Sequence, residues 1–176
     1  MEAKIVTNPL ELAHAKKIVL PGVGAFGELS RFLFESKLNV SLQELVESGI
    51  KVLGICLGMQ ILGESSEESK ETAGLKFLNL ESRKFNALES RVPHTGWDQV
   101  SIYKNHAILK GLSTEFSAYF SHSYYMPFQD DLSLAVTDYG VAFTSVVAKG
   151  NVVGVQFHPE RSQGNGRKIL SNFADW

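Results

Sequence analysis

The stretch Lys51 to Leu62, KVLGICLGMQIL, constrains this chain more than any other. Its apolar run, Lys51-Val-Leu-Gly-Ile55, reads as a buried strand, and Cys56-Leu-Gly-Met-Gln60 reads as the first turn of a helix. Gly54-Ile-Cys-Leu-Gly58 then has the form of a G-x-nucleophile-x-G elbow with a thiol at its centre. A strand turning sharply into a helix brings backbone close on both sides of the central residue, so a Cβ at either flank would clash. The central side chain is left at the carboxyl end of the sheet, often in strained backbone. A helix N-terminus favours the thiolate there, and the next N–H, that of Leu57, is placed to donate into an oxyanion hole. The bland alternative is a cysteine acting as a small buried hydrophobe in a turn kept for packing.

The flanking chain supplies a sheet for this elbow. Met1 to Thr7 and Lys17 to Leu20 read as strands, with Asn8-Pro9 a turn and Leu10 to Lys16 a short helical stretch between them. Pro21-Gly-Val-Gly-Ala-Phe26 makes a tight loop whose amides can face a ligand, or an ordinary strand-to-helix turn. Glu28 to Glu47 carries Leu29, Phe32, Leu33, Leu42, Leu45 and Val46 near helical spacing. Strand, helix, strand, helix in this rhythm, with the antiparallel strands that follow, predicts an open mixed, mostly parallel, α/β sheet with helices on both faces, in one domain spanning residues 1–176. Glu64 to Glu71 is polar throughout and reads as a solvated loop, and Leu75 to Leu80 and Ser82 to Phe85 read as strands. Val92 to Val100 looks irregular. Tyr119 to Tyr125 alternates as a strand with His122 and Tyr124 on one face, Ser121 and Ser123 on the other. Ser133 to Thr137 and Ala142 to Ala148 pair as antiparallel strands, Lys149-Gly-Asn151 turns into a strand from Val152 to Phe157, and Lys168 to Phe173 closes as a helix.

Bulk properties remove several function classes. With 44% hydrophobic residues the chain has material for a core, and a net charge of −2 offers no footprint for nucleic acid or an anionic membrane. A single cysteine excludes an internal disulfide and any CxxC motif, and the five histidines lack HExxH spacing, so no metal site is expected. The free thiol without a secretory signal points to a reducing, cytoplasmic setting, and no apolar run is long enough for a membrane span.

A cysteine nucleophile needs a base, and the base needs a partner to orient it. His158 stands where the Val152–Phe157 strand ends, and Glu160, two residues on, can accept from the imidazole and fix its tautomer. Taken singly, each has an ordinary reading, a turn histidine and a solvated carboxylate. Together with the elbow they permit a Cys-His-Glu triad.

Gly54-Ile-Cys-Leu-Gly-Met-Gln60 with Gly154-Val-Gln-Phe-His-Pro-Glu160 closely resembles the class I, or triad, glutamine amidotransferases. Within that class, Leu20 to Phe26, Pro93-His-Thr-Gly-Trp97, His122-Ser-Tyr124 and Glu160-Arg-Ser162 are similar to the glutaminase subunits of imidazole glycerol phosphate synthase, over almost the whole chain. The resemblance implies that Cys56 attacks the side-chain amide of L-glutamine, with His158 as base and then acid and Glu160 orienting it. It implies an oxyanion hole from Leu57 and the Val23 or Gly24 amide, and contacts to glutamine from Gly22, Gln60, Glu68, His122, Ser123 and Tyr124. It further implies no cofactor, and a heterodimer with a (β/α)₈-barrel cyclase subunit that receives the ammonia, met through Trp97, Asp98, Tyr119 and Arg161. Such enzymes are near-silent until the partner and its ligand are bound.

Set beside the family pattern, Met1 falls at what should be the second strand, so the expected fold lacks a first strand and helix and has an unpaired sheet edge beside an uncovered apolar face. A misassigned or shortened start is the expected cause, ahead of a natural short form or a degenerate copy. Thr95 and Asp98 stand where methionine and asparagine are commoner. Three other functions compete: the same glutaminase serving a sugar amidotransferase of surface polysaccharides, a non-catalytic subunit that still docks a barrel, and a γ-glutamyl peptidase with the same elbow.

Overall fold

Successive residues of the central strands point into opposite layers, and both layers are apolar. In the computed structural model, which describes residues 3–176, Val52 and Val152 join one core while Leu53, Ile55, Val153 and Val155 join another. A strand buried on both faces reads as a continuous apolar run, as KVLGI and VVGV do.

The helices are α1 (Pro9–Leu12), α2 (Phe26–Glu35), α3 (Leu38–Glu47), α4 (Leu57–Ile61) and α5 (Gln163–Asp175). The strands are β1 (Lys17–Leu20), β2 (Lys51–Ile55), β3 (Ser65–Ser66), β4 (Glu81–Lys84), β5 (His94–Ile102), β6 (Glu115–His122), β7 (Tyr124–Tyr125), β8 (Ser133–Asp138), β9 (Ala142–Lys149) and β10 (Val152–Val155). Among the described residues, seven strands form one mixed sheet in the order β1-β2-β10-β9-β8-β5-β6, and β3-β4-β7 form a small second sheet. The parallel portion is β1, β2 and β10; β9, β8, β5 and β6 continue it antiparallel. Helices α1 to α4 cover one face through Leu12, Phe26, Leu33, Leu38, Leu42 and Met59. Helix α5 covers the other through Ile169 and Phe173.

Several local expectations are corrected. Residues Ala3 to Thr7 form no strand, and Met1 and Glu2 lie outside the described residues. β1 is the outer strand of the sheet, and beside it runs an apolar groove of about 440 Å³ lined by Val6, Leu12, Ile18, Leu29, Phe32 and Leu42 among others. The helix expected over Glu28–Glu47 is two helices, broken where Lys37 adopts φ +61°. Periodicity runs through that break because Leu33 before it and Leu38 after it face the same core. Leu75 to Leu80 is not a strand; the N–H groups of Leu75, Lys76 and Leu78 instead close on the carbonyls of Ile61, Gly63 and Leu62 at the end of α4. The stretch thought irregular, Val92 to Val100, is mostly β5, paired with β6 along its length. Pro93 precedes that strand and Gly96, at φ +137°, bends it without breaking the ladder. The final helix starts earlier than expected because Gly166 lets it lie against the Pro159 carbonyl, where a Cβ would come within 1.8 Å.

The elbow is held just as tightly. A Cβ on Gly58 would sit 1.7 Å from the Leu20 carbonyl oxygen, and one on Gly54 would sit 2.4 Å from the Gly58 carbonyl oxygen. Gly58→Ala must therefore push α4 away from the end of β1 and should destabilise the protein by about 3 kcal/mol or more. Gly150→Ala, at φ +58° with open space around it, should cost only about 1 kcal/mol. Urea midpoints of the two variants against the parent chain measure the difference, and equal losses would remove the close-approach account of the elbow.

Candidate active site

Strand β2 ends at Ile55 and α4 begins at Leu57, so Cys56 alone makes the turn, at φ +53° and ψ −111°. A non-glycine residue in that conformation is strained, and it persists because the Gly58 and Gly54 contacts leave the chain no other route. The Cys56 side chain faces a cleft of about 400 Å³ shared with His158, Gln60, Glu68, the Gly22–Gly24 loop and the segment from Ser121 to Tyr124. Burial pushes the thiol up to about 11; the Leu57 N–H and the Gln156 amide pull it partly back, while Glu160 adds to the rise. The thiol therefore needs a base to ionise at neutral pH.

His158 follows β10 and is fixed through its backbone: its N–H donates to the Tyr119 carbonyl at 2.8 Å, and its own carbonyl accepts from Ser162 Oγ at 2.7 Å. Ser162 Oγ in turn accepts from the Tyr119 N–H at 2.9 Å, which ties the turn to β6. The imidazole Nδ1 meets Glu160 Oε1 at 2.7 Å, so its other nitrogen is left for the cleft. Glu160 itself opens onto an adjoining cavity with Pro21, Val23 and His158. Cys56 Sγ is turned to the Ser121 carbonyl at 3.8 Å, and its other side-chain neighbour is Gln156 Nε2 at 3.7 Å.

The Pro21–Phe26 loop forms the rim. Gly22 packs on the elbow, where a Cβ would come within 2.6 Å of the Gly58 nitrogen, and Gly24 adopts φ +109°. Glu68 accepts from the Phe26 N–H at 2.8 Å, which pins the loop to the acidic run expected to be solvated. That run is instead partly ordered as β3, with Ser66 buried. Gln60 is buried and donates from Nε2 to the Tyr124 carbonyl at 2.8 Å and to Gln156 Oε1 at 3.1 Å.

His122 and Tyr124 do not share one strand face as expected. The ladder of β6 stops at His122, and Tyr124 belongs to β7 in the second sheet. His122 points inward, among Phe85, Phe120 and Phe143, and still reaches the cleft. Burial drives it down to about 3, so it is neutral. Its Nδ1 lies 2.8 Å from the Tyr124 carbonyl and must donate to it, leaving Nε2 to accept from His94 Nδ1 at 3.1 Å. His94 Nε2 then faces Asp98 Oδ2 at 3.1 Å. Burial pulls His94 down, opposed by the Asp98 carboxylate. With its Nδ1 already donating, His94 can meet that carboxylate only through a second proton held between Nε2 and Oδ2.

Of the four residues expected at a partner interface, three form one patch. Trp97 is half exposed and meets the Tyr119 ring edge-on at 6.1 Å between centroids, and the Arg161 guanidinium lies 4.0 Å over the same ring. Asp98 turns away from this patch to His94. Gln156, His94 and the Ser121 carbonyl were not singled out from sequence. Gln156 had a readable signal, a polar residue inside the run VVGVQF that burial obliges to find partners.

The whole chain from residue 2 to residue 176 matches the family of class-I glutamine amidotransferases, and the protein belongs to that family. It is 44% identical over 170 residues to the imidazole glycerol phosphate synthase subunit HisH of Methanosarcina acetivorans, covering 96% of this chain and 83% of that one. The subunit of the same name from Moorella thermoacetica is 38% identical over 173 residues, covering 98% and 82%. A crystal structure of a glutamine amidotransferase superposes with a TM-score of 0.75 over 99% of this chain and 87% of that one, at 22% identity, which supports the shared fold. No helix among the described residues is long and apolar enough to cross a membrane.

His122 is neutral when folded and takes up a proton below about pH 6.5 once unfolded, so stability should fall as pH drops from there toward 3, with this residue contributing roughly 1 kcal/mol per pH unit. Denaturant titrations between pH 6 and 4 should show a shallower slope in His122→Asn, and an unchanged slope would contradict a neutral buried His122.

Proposed function

We propose that this protein is the glutaminase subunit of an imidazole glycerol phosphate synthase, releasing ammonia from L-glutamine for histidine biosynthesis. The observation that carries this reading is the strained Cys56 elbow facing one cleft with His158, whose Nδ1 is held by Glu160 at 2.7 Å. The relatives named as subunits of that synthase supply the acceptor side of the reading. We read residues 1–176 as one amidotransferase domain working in the cytoplasm.

His158, with Nδ1 engaged by Glu160, takes the Cys56 proton on its other nitrogen. The sulfur attacks the side-chain amide carbon of glutamine, and the oxyanion that forms is held by the Leu57 N–H and an amide of the Val23–Gly24 loop. Collapse breaks the C–N bond, the imidazolium returns its proton to the leaving nitrogen, and ammonia and a γ-glutamyl thioester result. Water, activated by the same imidazole, then releases glutamate and restores the thiol. Gln60, Glu68, Ser123 and Tyr124 line the cleft where glutamine would lie, with Gly22 at its rim and His122 beneath it.

The thiol is turned toward the Ser121 carbonyl, so proton transfer to His158 requires it to rotate first. A partner that shifts this arrangement would control turnover. The exposed patch of Trp97, Tyr119 and Arg161 is the surface we assign to a (β/α)₈-barrel cyclase subunit that takes the ammonia.

Glutamate release from glutamine, by the chain alone and with a cyclase subunit and its nucleotide ligand, tests the reading. Strong stimulation by the partner is expected, and Cys56→Ala or His158→Ala should lower turnover by at least about 10³-fold with folding and partner binding retained. Turnover surviving in either variant would remove the triad, and stimulation by a sugar amidotransferase instead of a cyclase would change the acceptor.

A further inference from the structure

We propose that Gln156 is a catalytic hydrogen-bond donor to the Cys56 sulfur, held in its working orientation by Gln60; this rests on Cys56 being the nucleophile. Gln156 follows β10 directly and is fully buried. Its amide spans two partners: Oε1 accepts from Gln60 Nε2 at 3.1 Å, and Nε2 donates to Cys56 Sγ at 3.7 Å. An amide can be turned over with almost no change of shape, so only the polarity of its neighbours decides which end faces which.

That polarity is fixed from outside. The Tyr124 carbonyl can only accept, and it takes Gln60 Nε2 at 2.8 Å, which assigns the Gln60 nitrogen to this end. The same nitrogen faces Gln156. Turning Gln156 over would set its NH₂ against the NH₂ of Gln60 and its carbonyl oxygen against the sulfur. Both contacts would be repulsive in a site closed to water, where an unpaired polar group is expensive. The Tyr124 carbonyl therefore orders Gln60, Gln60 orders Gln156, and Gln156 presents N–H to sulfur.

A neutral thiol is a poor acceptor and a thiolate a good one, so this donor stabilises the state formed when the proton passes to His158. Once the sulfur has bonded to the amide carbon and the C–N bond has broken, the thioester sulfur is neutral and the donor loses most of its value. Measured from the resting neutral thiol, Gln156 thus lowers the energy of the sulfur as it gains charge on losing its proton to His158, which is the part of the first step it speeds.

Gln156→Glu keeps the shape and still accepts from Gln60, but places a carboxylate oxygen where the N–H stood. Cys56 is the one cysteine of the chain, so the pH dependence of its alkylation by iodoacetamide reads its ionisation without glutamine or a partner. The alkylation profile of the glutamate variant should move to higher pH, with the rate at neutral pH falling about tenfold or more. Gln156→Met, which has no donor and no charge, should fall between the two and carries the test where the glutamate variant does not fold. A profile in the folded variants that matches the parent chain would overturn the proposal. That result would leave the glutaminase reading standing, since glutamate release is measured separately; no glutamate release by the parent chain with its cyclase partner would remove that reading and the catalytic role with it, while a shifted alkylation profile would still report the hydrogen bond to sulfur.

Discussion

The contact on which the rest of the structure depends is between two stretches of backbone: Gly58 at the first turn of α4 and the Leu20 carbonyl at the end of β1. No side chain fits between them. Because α4 is pressed there, Cys56 must take the turn alone and in strained geometry. Gly22 lies against the same turn, so the loop that rims the cleft is located by the elbow as well. Cys56 and the rim loop are therefore set by one steric condition, and the geometry of the site inherits its precision from packing rather than from flexible polar contacts.

Burial of the cleft floor creates the second condition. A thiol raised to about 11 and a histidine driven to about 3 are both pushed toward their neutral forms by the loss of water. Polar groups in such a place need partners, and Asp98, His94, His122, the Tyr124 carbonyl, Gln60 and Gln156 supply one another in a continuous series ending at the sulfur. Each member's donor or acceptor role is dictated by the next. The stacking of His94 on Tyr139, with ring centroids 3.9 Å apart, and the aromatic rings around His122 keep water from substituting for any of them.

The elbow strand, the triad motifs and the antiparallel strands near the end of the chain were legible because their signals are local: apolar runs of strand length, glycines at fixed spacing, a turn residue between two strands. What sequence could not show was long-range. Val92 to Val100 carries proline and glycine and looks irregular, yet from His94 onward it pairs with β6, whose partners lie 16 to 28 residues further along the chain. Leu75 to Leu80 has strand composition but spends its N–H groups on the end of α4. Glu68 sits in a run whose composition reads as solvent-exposed, and only the fold brings it to the Phe26 N–H. Gln156 is the instructive middle case: its burial was readable from its neighbours, while the identity of its partners was not.

Strand β6 joins these features. It is an edge strand, and the free edge of an edge strand normally needs covering. Here three carbonyls at alternate positions along that edge are each taken by a group of the surrounding structure: Ser117 by Asn165 Nδ2, Tyr119 by the His158 N–H, and Ser121 by the Cys56 thiol. Alternate carbonyls of a strand point the same way, so His158 and Cys56 are referred to one ruler, two residues apart. The Tyr119 side chain, meanwhile, stands in the exposed patch with Trp97 and Arg161. Patch and cleft are thus built on one strand: Tyr119 presents its ring to the first and its carbonyl to the His158 N–H at the second.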